Sequence, residues 1–279
     1  MRVAVLSGKG GTGKTFVAVN LAAAAGKAVY IDCDVEEPNG RLFFKPQSTV
    51  TKTVTTFIPQ FDTTKCNACR ECVNFCRFNA LVFVKDKPML FADVCHSCGG
   101  CVRLCKTSAI TEKEKPVGAV ECGESGLVHV VTGIMNLGEA SGIPVIKAAL
   151  SQCAASEALT VIDCPPGSAC PVMESIMNAD YCIIVAEPTA FGLHNFKMVY
   201  ELAGLLKKPC GVVINKADEE YAPLNAFCAE ENINVLCTVP YSRELAAMGA
   251  KAEIAVEHDS QFKDIFCKLL YDVKKGALT

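Results

Sequence analysis

The sequence predicts a doubly wound α/β fold, a mostly parallel sheet into which a small cysteine-rich domain is set. Three observations carry that prediction. Short apolar runs rich in β-branched residues alternate with helix-like stretches on both sides of the chain. A glycine-rich turn, SGKGGTGKT, stands between the first strand and the first helix. Eight of the chain's 18 cysteines fall between Cys66 and Cys105.

Taken in order, RVAVLS reads as a buried strand, the glycine-rich stretch as a turn, and TFVAVNLAAAAG as an alanine-rich helix closed by Gly26. KAVYIDCD reads as a second strand ending at Asp34, so the chain opens strand, loop, helix, strand, the start of a parallel α/β sheet. From residue 57 to 118 the cysteines cluster and long alanine-rich helix patterns vanish, which predicts an inserted domain of 57–118 within a discontinuous main domain of 1–56 plus 119–279. After it LVHVVTG, LTVIDCPP, YCIIVAEPT, CGVVINK and NVLCTVP read as further strands of the doubly wound sheet. The closing helix, 260–273, puts Phe262, Ile265, Phe266, Leu269 and Leu270 on one face. That face suits docking on the sheet, and a membrane-surface helix has the same pattern.

A chain of 279 residues, 51% hydrophobic, has room for one large core and a small second one. Its net charge of -3 gives no basic field of the kind that marks a nucleic-acid binder. The N-terminal apolar run, VAVL within MRVAVLSGKGG, is too short for a signal sequence or a membrane span, so a cytoplasmic protein without a membrane partner is expected. In a reducing compartment the cysteines point to metal or redox chemistry rather than disulfides. The ten outside the block lie singly along apolar sequence, where cysteine mostly serves as a small hydrophobe.

Gly8, Lys9, Gly10, Gly11, Thr12, Gly13, Lys14 and Thr15 satisfy GxxxxGK[ST] between a strand and a helix, the context a phosphate loop requires. The glycines let successive N–H groups turn inward and the helix start adds its positive end. Lys14 supplies a point charge to the β- and γ-oxygens, and the Thr15 hydroxyl completes a Mg2+ shell.

With its additional lysine, KGGTGKT resembles the deviant Walker A motif of the MinD, ParA and nitrogenase iron protein class of P-loop ATPases. In that class the first lysine, matched by Lys9, reaches across a nucleotide-sandwich dimer to the partner's phosphates. The resemblance thus implies ATP, Mg2+ and a nucleotide-dependent homodimer, or a heterodimer with a related ATPase. It assigns Asp34, after Asp32, to the switch I aspartate that orients the attacking water, and Asp163 in VIDCPPG to the Walker B region that holds Mg2+ through water. An aspartate after a strand also serves as a helix cap. Asn215 and Lys216 resemble the adenine-contacting segment, and VPYSRE near Pro240 the second base-side loop, although Asn-Lys after a strand is common turn chemistry too.

CNACRECVNFC and CHSCGGCVRLC share the spacing CxxCxxCxxxC. On the two-cluster pattern, three cysteines of each run wrap one cuboidal cluster and the fourth reaches the neighbouring one. Cys66, Cys69 and Cys72 then join Cys105, while Cys95, Cys98 and Cys101 join Cys76, for two [4Fe-4S] clusters per chain. Zinc is the competing reading, but it leaves the third cysteine of each run without a role. Arg77 and Lys106 stand where bacterial ferredoxins usually have proline.

Nearly the whole chain resembles MinD-superfamily ATPases with an inserted bacterial-ferredoxin-like α+β domain, including DVEEPN and VAEPTAFGLHNFK. The resemblance implies slow, dimer- or partner-stimulated ATP hydrolysis coupled to electron transfer toward a redox partner. A cluster assembly protein or carrier with a client protein is the alternative, with Cys170 as the candidate ligand of a bridging third cluster or else a buried hydrophobe. MinD-like positioning ranks third, since the last helix offers only Lys263, Lys268, Lys274 and Lys275 to a membrane.

Overall fold

The computed structural model describes residues 1–152, 158–218 and 220–277. The chain begins with β1 (Arg2–Leu6), whose Val3, Ala4, Val5 and Leu6 are fully buried, as a central parallel strand covered on both faces must be. Helix α1 (Lys14–Ala24) starts at once after Gly13, whose φ of 96° is left-handed and favours glycine. Gly26, at φ 72°, follows its end, in agreement with the sequence. Strand β2 (Ala28–Asp32) stops at Asp32, two residues short of the predicted Asp34, because the Asp32 carboxylate folds the chain by accepting the Asp34 and Gly40 backbone N–H groups. Asp34 therefore stands on the loop leading into α2 (Gly40–Phe44).

Then come β3 (Gln47–Phe61), α3 (Glu71–Phe75), β4 (Leu81–Val84), β5 (Lys87–Leu90), a 3-10 turn at Ala92–Val94, α4 (Gly100–Leu104) and β6 (Ile110–Ser125). β3 and β6 pair antiparallel from Gln47 opposite Glu124 to Phe61 opposite Ile110. The predicted insert edges at 57 and 118 thus fall inside a ribbon, and the cysteine segment 62–109 sits at its tip. There α3 and α4, each within one cysteine run and each preceded by a left-handed residue, Arg70 or Gly99, repeat one local structure. Leu81, Cys101 and Ile110 form a small core of their own, against which Cys72, Cys76 and Cys105 pack.

The main body resumes with β7 (Val128–Met135), α5 (Ile143–Ser151), β8 (Leu159–Asp163), α6 (Cys170–Ile176), β9 (Tyr181–Ala186), α7 (Ala190–Leu205), β10 (Cys210–Ala217), α8 (Ala222–Glu230), β11 (Asn234–Pro240), α9 (Arg243–Ala250), α10 (Ala255–His258) and α11 (Ser260–Gly276). Among the described residues nine strands form one sheet in the order β11-β10-β9-β1-β8-β2-β7-β6-β3. It is parallel from β11 to β7, and the ribbon adds an antiparallel edge.

Alternate residues of each central strand face opposite cores. Ala4, Leu6, Val29 and Ile31 pack with α5 to α8, while Val3, Val5, Ala28 and Tyr30 pack with α1 and α11. The apolar face of α11 is spent on this second core, where Phe266, Leu269 and Val273 are fully buried. Among the described residues no helix is long and apolar enough to cross a membrane. Of the cysteines outside the block, Cys33, Cys164, Cys182 and Cys228 are buried and Cys122, Cys210 and Cys237 half-buried, whereas Cys170 and Cys267 are exposed. Cys170 is therefore not the buried hydrophobe allowed for it, and Cys153 lies outside the described residues.

Candidate functional site

At the C-terminal ends of β1, β2 and β8, where an open parallel sheet binds ligands, lies a cavity of about 660 Å3. Lys9, Gly10, Gly11, Gly13, Lys14 and Thr15 form one wall, Asp34, Val35, Glu36, Glu37 and Asn39 another, and Pro165, Pro166, Ala169 and Pro171 a third. The phosphate loop is held from behind. Asn215 Nδ2 donates to the Thr12 carbonyl at 2.8 Å and Lys216 Nζ to that of Gly11 at 2.6 Å. Within the loop, the Ser7 and Thr12 hydroxyls both donate to the Lys9 carbonyl. Asn215 and Lys216 thus brace the loop without lining the cavity, and Pro240 pairs with Ala217 at the neighbouring strand end.

Below the cavity floor is a buried charge cluster. Lys14, 6% exposed, donates to Asp163 Oδ1 at 2.7 Å and lies 3.6 Å from Asp34 Oδ2. The other Asp163 oxygen accepts from the Tyr30 hydroxyl at 2.9 Å, so this fully buried carboxylate stands behind Lys14 rather than on the cavity wall. Burial works against the Lys14 ammonium, yet Asp163 and Asp34 together hold its pKa above the ordinary lysine range. Burial and then Asp163 push the Asp32 carboxyl up to about 8, against the pull of the Gly40 N–H and Lys14.

An acid raised in the folded state takes up its proton there at a pH where the unfolded chain stays ionised. Its stabilisation is full below the ordinary 3.8 and is lost as pH rises through about 8. The nucleotide-free protein is expected to melt at progressively lower temperature from about pH 5 to about pH 8.5, with a shallower slope in Asp32→Asn. A pH series of calorimetric scans checks this, and an unchanged slope in the variant would contradict it.

Sequence reasoning overlooked Glu187. Its carboxylate pairs with Lys9 at 2.5 Å and with Lys216 at 2.8 Å, and those two lysines hold it below the usual carboxylate range despite its burial. Lys9 also lies over the Phe191 ring, 5.4 Å from its centre. The AEPT stretch after β9 was the available signal. The wall formed by Gly249, Ala250 and Ala252 has no chemical signature in sequence.

The eight clustered cysteines divide between two further cavities. One, of about 260 Å3, is lined by Cys76, Cys95, Cys98 and Cys101. The other, lined by Cys66, Cys69, Cys72 and Cys105, is nearly closed at about 20 Å3. Each set combines three cysteines of one run with the fourth of the other. Neighbouring cysteines are within electrostatic reach: burial raises the Cys101 thiol to about 11 with Cys95 and Cys98 adding to it, and raises Cys72 with Cys69 and Cys66 adding. Among the described residues no three His, Cys, Asp or Glu side chains converge on a point that would hold a single metal ion. A four-iron cube lies between its thiolates and keeps them apart, so the donor sets suit such a group. The first cavity is the roomier of the two; the second, at about 20 Å3, is too narrow as it stands.

Residues 3–255 match the family described as the CobQ/CobB/MinD/ParA nucleotide binding domain. The uncharacterized protein MJ0579 of Methanocaldococcus jannaschii is 30% identical over 224 residues, which cover 77% of this chain and 80% of that protein. MJ0578 of the same organism is 28% identical over 228 residues, covering 77% and 78%. Among solved structures, the septum site-determining protein MinD of Pyrococcus horikoshii, complexed with Mg-ADP, aligns with a TM-score of 0.62 at 16% identity, over 98% of this chain and 96% of that one. The cell division ATPase MinD of Pyrococcus furiosus aligns at 0.61 and 16% identity, over 98% of both. A McdA-ATP complex from Cyanothece aligns at 0.57 and 14%, over 99% and 95%. At these identities the likeness is one of fold.

Proposed function

Since the chain belongs to the CobQ/CobB/MinD/ParA nucleotide-binding family, we propose that it is an ATPase that closes a sandwich dimer around MgATP and couples its nucleotide state to electron transfer through two [4Fe-4S] clusters. The observation that carries the iron–sulfur part is the division of eight cysteines into two crossed sets, each lining one cavity. Cys66, Cys69, Cys72 and Cys105 would hold one cluster, and Cys76, Cys95, Cys98 and Cys101 the other. When bound, such clusters accept and release single electrons.

At the nucleotide, the loop N–H groups and Lys14 bind the phosphates, and Thr15 faces the cavity to take the Mg2+ that accompanies ATP. Binding draws the Lys14 ammonium toward the phosphates and so loosens its hold on Asp34. Asp34, on the opposite wall, then orients the attacking water, and Asp163 would reach the metal's water shell only once Lys14 has left it for the phosphates. Lys9 supplies positive charge to the partner subunit's γ-phosphate, where charge develops during transfer. Asn215 and Lys216 brace the phosphate loop, and Pro240 serves the base side.

Anaerobic purification with iron counting and electron paramagnetic resonance tests the reading. About eight irons per chain are expected, with spectra that change on adding MgATP; about one zinc per chain would overturn the cluster assignment. Cys101→Ser should lose one cluster and keep the other. A carrier role draws on the exposed Cys170 at the start of α6, beside the Ala169 and Pro171 of the cavity wall. Passage of iron to an apo-acceptor, dependent on ATP and abolished in Cys170→Ser, would favour it over electron transfer.

A further inference from the structure

Lys115 lies on β6 at the root of the cysteine-bearing tip, with its side chain only 17% exposed. Its ammonium donates to the Ala92 carbonyl at 3.1 Å and to Glu139 Oε2 at 2.9 Å, with Asp93 Oδ1 at 3.6 Å. Ala92 and Asp93 belong to the 3-10 turn that runs directly into Cys95. Glu139 belongs to the loop between β7 and α5. One cation therefore joins three segments that are far apart in sequence, and it has donors for all of them.

The β7–α5 loop is fastened at both ends to residues that matter for the nucleotide. At its start the Met135 N–H donates to the Val35 carbonyl at 2.9 Å. At its end Gly142 lines the nucleotide cavity and lets Val35 approach closely, since a Cβ there would come within 2.6 Å of the Val35 side chain. Val35 follows Asp34 and lines the same cavity. Between these points Asn136 is tied to β6, its N–H donating to the Val117 carbonyl and its side chain to that of Pro116, next to Lys115. A contiguous series of contacts thus runs from Asp34 through Val35 and the 136–142 loop to Glu139, Lys115 and the turn before Cys95.

We infer that Lys115 is a positioning residue, the joint through which the loop bearing Asp34 sets the placement of the Cys95 side of the insert. The inference rests on the proposed coupling of insert to nucleotide and names its physical link. The pair it forms with Glu139, itself 12% exposed, is shielded from water and so is stronger than a surface pair. A displacement of the 34–35 segment would be passed through this contact to the Ala92 turn, or would break it.

Hydrogen-deuterium exchange on the full chain, purified anaerobically, tests it with and without a non-hydrolysable MgATP analogue. In the wild type, nucleotide is expected to alter exchange both in the phosphate loop, 8–15, and in 92–98. In Lys115→Met the change at 8–15 persists and that at 92–98 is lost, and Glu139→Gln, which keeps the size of the side chain, gives the same result. A variant in which both segments respond as in the wild type overturns the role of Lys115 and leaves coupling intact. A wild type that responds at 8–15 and not at 92–98 overturns the coupling itself, and this inference with it.

Discussion

Replacing Lys9 with alanine should slow ATP hydrolysis by about 10^3-fold while leaving nucleotide affinity nearly unchanged, as expected of a cation supplied in trans to a transferring phosphoryl group. The loop itself does not depend on this side chain. Ser7 and Thr12 bond the Lys9 backbone carbonyl, and Asn215 and Lys216 hold the carbonyls of Thr12 and Gly11, so the cradle of N–H groups survives the substitution. The ammonium rests instead on Glu187 and over Phe191, partly exposed at the rim of the cavity. Titration with a fluorescent nucleotide separates binding from the steady-state rate, and the wild-type rate per chain should climb with protein concentration as dimers form. Equal loss of affinity and rate in Lys9→Ala would place this lysine on its own subunit's nucleotide and end the dimer reading of the loop.

Lys14→Ala is expected to act differently and on two properties at once. It removes the cation bonded to the fully buried Asp163, beside Asp32, which is also fully buried. Leaving a buried charge without its partner costs about 3–5 kcal/mol, so the variant should unfold at markedly lower denaturant even with no nucleotide present. Nucleotide affinity should fall as well, since the same ammonium is the point charge of the phosphate loop. Urea titration followed by nucleotide binding on the folded fraction checks both. A variant as stable as the wild type would mean that the carboxylates find other compensation, and would remove the electrostatic account of the cavity floor.

What could be read from the sequence follows the range of the physics involved. The phosphate loop was legible because its chemistry is local: a left-handed turn at Gly13 and a cation one residue later must be written in adjacent letters. The parallel strands were legible because burial on both faces leaves continuous apolar runs, as at 3–6 and 181–186. β3 and β6 escaped because an exposed edge ribbon needs no such run. TVTKTVTTFIPQF has the β-branched content of a strand, yet most of its side chains up to Thr53 face solvent. Glu187, Tyr30 and Lys115 also escaped. Each owes its position to residues more than 20 places away, and a single carboxylate, phenol or ammonium carries no spacing to betray it. The cysteine runs lie between these cases, since the spacing within each run is local while the meeting of three cysteines of one run with the fourth of the other around one cavity is a property of the fold.

The ribbon that carries the cysteine segment is also a cantilever. Its pairing slips register between Val54 and Thr55, and from there it runs to Phe61 without interruption. At the rise of an extended strand that arm is about 20 Å long, so a bend of about 10° at the irregularity sweeps its end through about 3–4 Å. Lys115 sits opposite Thr56, just beyond this irregularity, where a brace has the shortest lever and the smallest displacement at the root governs the largest at the tip.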